Sequence, residues 1–267
     1  MIAAVVQMTS GGDLARNLER AAYFIARAAQ AGAEFVALPE NFALMQEVDA
    51  GPSPAAEGPD GPILEFLRDQ AKRHSILLAG GTLPEKNPEG ARPFNTALLL
   101  DADGTVLARY RKIHLFDVGL AGASYQESRS VAPGAEVVVA ETRLGPIGLS
   151  VCYDVRFPEL YRALAERGAR ILLVPAAFTV PTGRDHWEVL LRARAIENQA
   201  FVIASAQYGA HNTTRRSFGR SMIIDPWGVV LATVPDGEGV GLAPLDFAAL
   251  KSIRSKLPAL KHRRLQV

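Results

Sequence analysis

The sequence contains almost no cysteine: Cys152 is the single one among 267 residues. One cysteine excludes an intrachain disulfide, so a reducing compartment is the expected environment, and we predict a cytoplasmic protein. The apolar start at residues 1–7 is too short for the hydrophobic region of a secretory signal, and no basic residues precede it. We therefore interpret this start as a buried opening strand.

The chain also lacks an excess of charge of either sign and any long apolar run. Lysine and arginine total 29 against 28 acidic residues, which leaves a formal net charge of +1. This balance favours neither nucleic acid nor an anionic membrane surface as a partner. No apolar segment approaches the ~20 residues that a membrane span needs. The short basic stretch 261–264 is typical of a solvated chain end.

What the chain does contain is a regular alternation of strand and helix patterns. Asp13 is placed to cap the first helix and Gly32 to end it. Antiparallel strands are predicted between 94 and 110, with a turn at 101–104, and a hairpin around 225–228. The remaining apolar strand patterns lie at 2–8, 34–40, 76–80, 147–152, 171–177 and 201–206, and helical spacing at 14–29, 63–74, 158–167 and about 185–198.

The pattern predicts one domain over residues 1–267, with a core to about residue 246 and a C-terminal tail from about 247 to 267. No linker, low-complexity segment or charge block divides the chain. The stretch rich in proline and glycine at 51–62 lies inside the alternation, which is typical of a surface loop. Strands this apolar need helices over at least one face, which favours a layered α/β sandwich.

Cys152 stands where a strand pattern runs into a helix, since Pro158 and Glu159 are typical of a first helical turn. A thiol near the positive end of a helix favours its thiolate form, which is the nucleophile. The alternative is a buried free cysteine packed as a small hydrophobe, which is the commoner role of a lone cysteine.

A cysteine nucleophile needs a base or an electrostatic partner, and histidine is the usual one. The positions of His114 and His186 leave a pair with Cys152 open. No two histidines have the spacing of metal ligands, and there is no second cysteine. We therefore expect neither a metal site nor a cofactor.

Two further residues suggest a different partner for the thiol. Glu40 ends an apolar strand directly after a proline, and Lys112 lies in a basic and then apolar run at 110–116. Each alone is typical of a solvated surface charge. Together with Cys152 they form a set suited to acyl transfer. Glu40 would accept the thiol proton and later activate water, while Lys112 and the backbone N–H of Tyr153 would stabilise the oxyanion.

Three motifs make this set specific: Leu-Pro-Glu at 38–40, Tyr-Arg-Lys-Ile-His-Leu-Phe-Asp at 110–117 and Cys-Tyr-Asp-Val-Arg-Phe-Pro-Glu at 152–159. In order and spacing they resemble the signature regions of the carbon–nitrogen hydrolase (nitrilase) superfamily, over nearly the whole chain. The resemblance implies a four-layer α-β-β-α sandwich of the nitrilase type that forms a homodimer or a larger homo-oligomer. It also implies Glu40 as general base, Lys112 as stabiliser of the oxyanion and Cys152 as nucleophile.

The family has a second glutamate that positions the substrate near the lysine, and Ser-Tyr-Gln-Glu-Ser at 124–128 matches its surroundings. The resemblance therefore assigns Glu127 to this role. The preceding loop at 118–122 departs from the pattern, which carries an acidic residue near Gly119 and one more residue. The register there rests on the Ser-Tyr-Gln-Glu match.

The residues after Cys152 resemble those of amidases that act on small dicarboxylate monoamides. The resemblance implies a small-molecule amide as the partner: the γ-amide of an α-keto acid, with deaminated glutathione favoured over α-ketoglutaramate. Arg156 is suited to bind the α-keto acid carboxylate, and its alternative is a salt bridge with Glu159 or another carboxylate. Phe178 and Thr182, on the loop after strand 171–177, would supply an apolar wall and a hydroxyl group.

The larger substrate carries a second carboxylate farther out, and Arg215 or Arg216 is placed to meet it or else belongs to a solvated loop. Two other function classes stay open. One is a nitrilase or carbamoylase that uses the same residues. The other is a non-catalytic scaffold of this fold that binds a partner, and the presence of all three reactive residues argues against it.

Overall fold

The computed structural model describes residues 1–47, 50–120 and 123–265, in which five α-helices alternate with strands. Asp13 caps the first helix as predicted, because its side chain accepts a hydrogen bond from the Arg16 N–H. No helix in these ranges is long and apolar enough to cross a membrane. The helices are α1 (Leu14–Gln30), α2 (Pro62–His74), α3 (Pro158–Glu166), α4 (Val180–Asn198) and α5 (Phe247–Lys256).

Strands form at each predicted position, and the predicted antiparallel pair and hairpin are β4–β5 and β14–β15. Six further strands, β6, β7, β8, β12, β13 and β16, were not predicted. The strands are β1 (Ile2–Gln7), β2 (Phe35–Ala37), β3 (Leu77–Glu85), β4 (Phe94–Leu100), β5 (Val106–Arg111), β6 (Asp117–Leu120), β7 (Ala123–Gln126), β8 (Val139–Ala140), β9 (Ile147–Leu149), β10 (Ile171–Leu173), β11 (Phe201–Ala204), β12 (Tyr208–Ala210), β13 (Arg216–Phe218), β14 (Met222–Ile224), β15 (Val230–Thr233) and β16 (Gly239–Pro244).

Twelve of these strands form two six-stranded sheets with related plans. The first has the order β16-β1-β2-β3-β4-β5, and its centre, β1-β2-β3, is parallel. The second has the order β15-β14-β11-β10-β9-β8, and its centre, β9-β10-β11, is parallel. Because the carboxyl ends of parallel strands meet at one edge, the segments after β2, β9 and β10 are brought to related positions.

The sheets pack against each other between two helical layers. Along β1, Ala3 and Val5 belong to the buried cluster shared with the second sheet, whereas Ala4 and Val6 belong to the cluster shared with α1 and α2. On the far side, Leu164 of α3 lies against Gly148 of the second sheet. The predicted four-layer α-β-β-α sandwich in a single domain is confirmed.

Helix α4 begins earlier than predicted, and this moves one candidate site residue. The sequence indicated a start near residue 185, but the helix starts at Val180, with Pro181 in its first turn. The Gly183 N–H donates to the Thr179 carbonyl at 2.7 Å, which closes that turn. The predicted loop position of Thr182 is therefore wrong, because Thr182 lies in the first turn of α4. A proline at the start of a helix is favourable, which explains the extension.

The segment after residue 246 contains α5, capped by Asp246, whose side chain accepts hydrogen bonds from two backbone N–H groups. Leu250 is buried, and the Phe247 ring packs edge-on against Phe201 with 5.6 Å between ring centroids. The Arg254 side chain donates to the carbonyl of Gln199 at 2.8 Å. Residues 266–267, the end of the predicted tail, lie outside the described residues.

Candidate active site

Cys152 lies on a sharp turn between β9 and α3. It opens a short 3₁₀ turn, Cys152–Arg156, and has a φ of +50°, a left-handed backbone conformation that is uncommon for any residue but glycine. Its N–H donates to the Pro175 carbonyl at 2.9 Å, which ties the turn to the segment after β10. The side chain is only 7% exposed. The fold thus holds the thiol at the end of a strand in a strained and buried position.

Lys112 follows β5 and lies between two carboxylates. Its Nζ atom is 2.9 Å from Glu40 Oε1 and lies 3.0 Å and 2.9 Å from the two carboxylate oxygens of Glu127. Lys112 is 2% exposed, so this ammonium group is almost removed from water. Two carboxylates around one buried ammonium compensate the cost of its desolvation.

Glu40 follows β2 and is held by donors from three parts of the chain. Its Oε2 accepts the Ala177 N–H at 2.8 Å, and its Oε1 accepts the Asn95 side-chain amide at 2.9 Å in addition to Lys112. Glu40 is 3% exposed. The sequence analysis did not identify Asn95 as a site residue. The only signal for it was a polar amide side chain at the start of an apolar strand pattern.

Glu127 reaches Lys112 through the hairpin of β6 and β7, in which Asp117 pairs with Gln126. One of its oxygens also accepts the Phe116 N–H at 2.7 Å. Of the loop at 118–122 whose register was in question, residues 121–122 lie outside the described residues. The geometry places Glu127 beside the lysine, as the Ser-Tyr-Gln-Glu match predicted.

The electrostatics of the site keep the resting sulfur protonated. Burial and the neighbouring Glu40 carboxylate raise the pKa of the Cys152 thiol well above its ordinary value, and Lys112 opposes them only in part. Burial by itself lowers the pKa of Lys112, but Glu127 and Glu40 raise it well above its ordinary value. The prediction that a helix end favours the thiolate is therefore wrong for the resting site. The thiol and the ammonium group coexist beside the Glu40 side chain.

These residues open into one cavity with a volume of about 1250 Å³ when its open mouth is included. Among the predicted substrate-binding residues, Tyr153, Phe178 and Thr182 line it, and the Thr182 hydroxyl lies 2.7 Å from that of Thr179. Other lining residues include Glu40, Lys112, Cys152, Glu127, Arg215 and Arg216.

Arg156 lies beside the cavity and is not part of its lining. Its guanidinium carbon is 5.1 Å from the ring centroid of Phe178, and its Nη1 is 3.2 Å from Nδ1 of His186. The alternative of a salt bridge with Glu159 is not found, because no carboxylate in the described residues pairs with Arg156. Arg156 therefore lies over the Phe178 ring, partly exposed and without a paired carboxylate among the described residues.

The histidines have other partners than the thiol. His114 Nδ1 is 2.7 Å from Oδ1 of Asp154, and its ring stacks on Phe157 with 3.6 Å between centroids. His186 contacts Arg156. Neither histidine lines the cavity, so the pair of Cys152 with His114 or His186 is not formed. Within the described ranges, no three residues among His, Cys, Asp and Glu group as metal ligands.

A buried carboxylate that the sequence did not reveal connects the two halves of the site. Asp154 is fully buried and accepts hydrogen bonds from the Tyr110 hydroxyl at 2.7 Å and from the Val151 N–H at 2.8 Å. It also accepts the His114 N–H at 3.1 Å. Asp154 therefore joins the segment around Lys112 to the turn around Cys152.

Comparisons with known proteins identify the family of this chain. The family model described as carbon–nitrogen hydrolase matches residues 2–255. The deaminated glutathione amidase of Synechocystis sp. (strain PCC 6803 / GT-S) is 46% identical over 98% of this chain and 97% of that protein. The deaminated glutathione amidase of Homo sapiens is 42% identical over 98% of this chain and 82% of that protein.

Among solved structures, Saccharomyces cerevisiae Nit3, a member of branch 10 of the nitrilase superfamily, superposes with a TM-score of 0.87. It is 32% identical, and the match covers 99% of this chain and 97% of that one. The match to the family model spans nearly the whole domain, and the thiol, carboxylates and ammonium group lie together in its cavity. The chain belongs to the carbon–nitrogen hydrolase family and is an amidase-type hydrolase of the nitrilase superfamily.

Proposed function

We propose that this protein hydrolyses the γ-amide of deaminated glutathione through a thioester on Cys152. The observation that carries the proposal is the convergence of Glu40, Lys112 and Cys152, from the ends of three separate strands, in one cavity. The substrate follows from the relatives, whose printed names are deaminated glutathione amidase and which match over nearly the full chain.

In the first half of the reaction, the Cys152 thiol gives its proton to Glu40 as Sγ attacks the amide carbon. The carbonyl oxygen becomes an oxyanion, which Lys112 Nζ and the Tyr153 N–H stabilise. That N–H belongs to the first turn of a 3₁₀ helix, where donors have no partner inside the helix. When the carbon–nitrogen bond breaks, the amine takes the proton from Glu40 and leaves as the dipeptide.

In the second half, Glu40 takes a proton from water as the water oxygen attacks the thioester carbon. The carbon–sulfur bond breaks, the sulfur recovers the proton, and the α-keto dicarboxylic acid leaves. One water is consumed and one amide becomes an acid and an amine. Glu40 thus serves as base and acid in turn, for which its fixed position beside both the thiol and Ala177 is suited.

Glu127 keeps Lys112 charged and oriented in this scheme, since it holds Nζ with both carboxylate oxygens. On the acyl side, Phe178 forms the apolar wall and Thr182 offers a hydroxyl group. Arg156, which lies over the Phe178 ring, attracts the α-keto acid carboxylate, because no carboxylate in the described residues pairs with it.

The test is a comparison of kcat/KM for deaminated glutathione and α-ketoglutaramate, with a nitrile panel alongside. We expect turnover of deaminated glutathione, a preference for it over the smaller amide, and a loss of about 10⁴-fold or more in Cys152→Ala with the fold retained. A preference for α-ketoglutaramate would make the protein an ω-amidase. Ammonia from nitriles alone would make it a nitrilase.

A scaffold without catalysis would turn over none of these substrates, even though the wild type is folded. The absence of turnover in the folded wild type would therefore indicate a binding protein. Turnover of any amide that survives Cys152→Ala would refute the proposed role of the thiol.

We propose further that the chain works as one domain in the reducing cytoplasm, where its thiol stays free, and that it forms a homodimer. One argument for the dimer is an apolar surface on α4 and on the β14–β15 hairpin, where large side chains are exposed. These are Val189 (68%), Ile196 (51%), Trp227 (60%) and Val229 (49%). Light scattering should give twice the chain mass, and Trp227→Ser should weaken the dimer, whereas Tyr23→Ser on α1 should not.

A further inference from the structure

We propose that Arg215 binds the carboxylate of the leaving dipeptide and thereby makes the site selective for γ-amides with an extended leaving group. The inference rests on the proposed function, since it concerns the same cavity and the same substrate class. Deaminated glutathione has two carboxylates, one on the α-keto acid and one on the glycine at the far end of the leaving group. α-Ketoglutaramate lacks the second. A cation placed at the distance of the glycine carboxylate therefore distinguishes the two substrates.

Arg215 lines the same cavity as Cys152, from the loop between β12 and β13. The loop is held by its own hydrogen bonds: the Arg215 N–H donates to Asn212 Oδ1 at 2.8 Å, and the His211 N–H donates to the Arg215 carbonyl at 3.0 Å. The His211 ring joins the loop to two other segments, with Nδ1 2.8 Å from the Ser10 carbonyl and Nε2 2.9 Å from the Ser217 hydroxyl. Arg215 is thus presented by a preorganised loop.

The guanidinium group of Arg215 has no strong acceptor in the described part of the chain. Its Nε atom is buried without a hydrogen-bond partner, and its Nη1 lies 3.5 Å from the thioether sulfur of Met45, a weak acceptor. The nearby Glu47 carboxylate accepts the Thr213 hydroxyl at 3.0 Å and makes no ion pair with Arg215. A planar guanidinium group with unpaired N–H donors is suited to bind a carboxylate.

The other cations in the cavity are less suited to this role. Lys112 already has the carboxylates of Glu40 and Glu127 within 3.0 Å. Arg216 is exposed to solvent, so a carboxylate bound there would stay hydrated and screened by salt. Arg215 is partly buried, and charge-assisted hydrogen bonds are stronger where water is partly excluded.

The wall of the cavity connects the reacting atoms to Arg215. Ala177 contacts Glu40, Thr179 bridges to Ser217, and the Phe218 N–H donates to the Phe178 carbonyl at 2.9 Å. Arg215 lies two residues before Ser217 and lines the same cavity as Cys152. A leaving group that extends along this wall from Cys152 therefore runs toward the guanidinium group.

The experiment is a thermodynamic cycle in which kcat/KM is measured for two substrates in each of two proteins. Deaminated glutathione is compared with its C-terminal glycinamide, in wild type and in Arg215→Met, which keeps an unbranched apolar side chain and removes the charge. In wild type, amidation should lower kcat/KM by about 30-fold, mainly through KM. In Arg215→Met the acid should already be about 30-fold poorer, and amidation should change little more. Turnover of α-ketoglutaramate should stay within twofold of wild type.

Arg216→Met is the matched control and should leave the 30-fold effect of amidation intact. The proposal would be overturned if the losses in kcat/KM from Arg215→Met and from amidation multiply in the doubly changed pair. It would also be overturned if amidation left the kcat/KM of wild type unchanged. A fall of more than fivefold in α-ketoglutaramate turnover in Arg215→Met would also overturn it. Arg215→Lys keeps the positive charge but lacks the planar guanidinium group, and it repeats this measurement with a smaller change of side chain. If wild type fails to hydrolyse deaminated glutathione at all, the proposed function itself fails.

Discussion

The Tyr110 hydroxyl donates a 2.7 Å hydrogen bond to the Asp154 carboxylate, and this contact joins the two halves of the site. Lys112 lies two residues after Tyr110, and Cys152 lies two residues before Asp154. Both partners of the bond are fully buried. Burial and the Asp154 charge raise the pKa of Tyr110 well above its ordinary value, so the hydroxyl remains a donor. A buried and charged hydrogen bond therefore sets the distance between the ammonium group and the thiol.

Removing the hydroxyl in Tyr110→Phe should destabilise the protein by about 1.5–3 kcal/mol, because a buried carboxylate loses a charge-assisted donor. It should also lower kcat more than it raises KM, since the two halves of the site lose their alignment while the cavity wall remains. Urea unfolding and steady-state kinetics measure both. Tyr23→Phe, at a residue that is 47% exposed, is the matched control and should change neither. A stability loss with unchanged kcat would show that the bond is only structural.

The pH dependence of thiol reactivity tests the interaction between Glu40 and Cys152. Burial and then Glu40 raise the pKa of the thiol, whereas Lys112 lowers it. Glu40→Gln removes the negative charge and keeps the ammonium group, so the midpoint of the alkylation rate against pH should move to lower pH. Glu47→Gln changes another carboxylate that lines the cavity and should leave the midpoint in place. An unchanged or higher midpoint in Glu40→Gln would contradict the electrostatic account.

Replacement of Gly81 should disturb the site from outside the cavity. Its φ is +59°, and a Cβ atom there would overlap the carbonyl oxygen of Pro39, the residue before Glu40. Gly81→Ala should therefore displace the strand end that carries Glu40. We expect a loss of about 2–4 kcal/mol in stability and of at least tenfold in kcat.

Gly12→Ala is the control for this change, because its added Cβ would meet nothing within 4 Å and its backbone does not need a positive φ. Both variants are measured by thermal unfolding and by turnover. Wild-type kcat in Gly81→Ala would show that the position of Glu40 does not depend on this close approach.

Alkaline pH should destabilise the folded state through the same buried thiol. Because the pKa of Cys152 is raised in the folded state, its contribution to stability is complete below the thiol's ordinary pKa of about 8.5. Above that pH the unfolded chain releases the proton first, so the free energy of unfolding falls as pH rises. Cys152→Ala lacks this contribution. Between pH 8 and 10, the free energy of unfolding of wild type should therefore fall relative to that of Cys152→Ala.

Urea unfolding at several pH values measures this difference. Buried tyrosines such as Tyr161, whose pKa burial also raises, are present in both proteins and cancel in the comparison. A difference that stays constant from pH 7 to 10 would mean that the folded state does not hold the thiol proton more firmly than the unfolded chain.

The sequence by itself determined the alternation of strands and helices, the layered architecture and the strand-end positions of Glu40, Lys112 and Cys152. These depend on hydrophobic periodicity and on local signals such as Asp13 at the start of α1, which act between residues close in the chain. It misplaced the start of α4, and with it Thr182, because a proline inside the first turn was taken to belong to a loop.

Only the tertiary structure decided the protonation of Cys152, the two carboxylates around Lys112 and the parts played by Asn95 and Asp154. Lys112 and Glu40 are 72 residues apart in the chain and 2.9 Å apart in space. The pKa of a buried group depends on what faces it and on how much water remains, and both are settled by segments distant in sequence. The same reason distinguishes Arg215 from Arg216, which are adjacent in the chain. Arg216 is exposed, whereas Arg215 is partly buried and its Nε atom is buried without an acceptor.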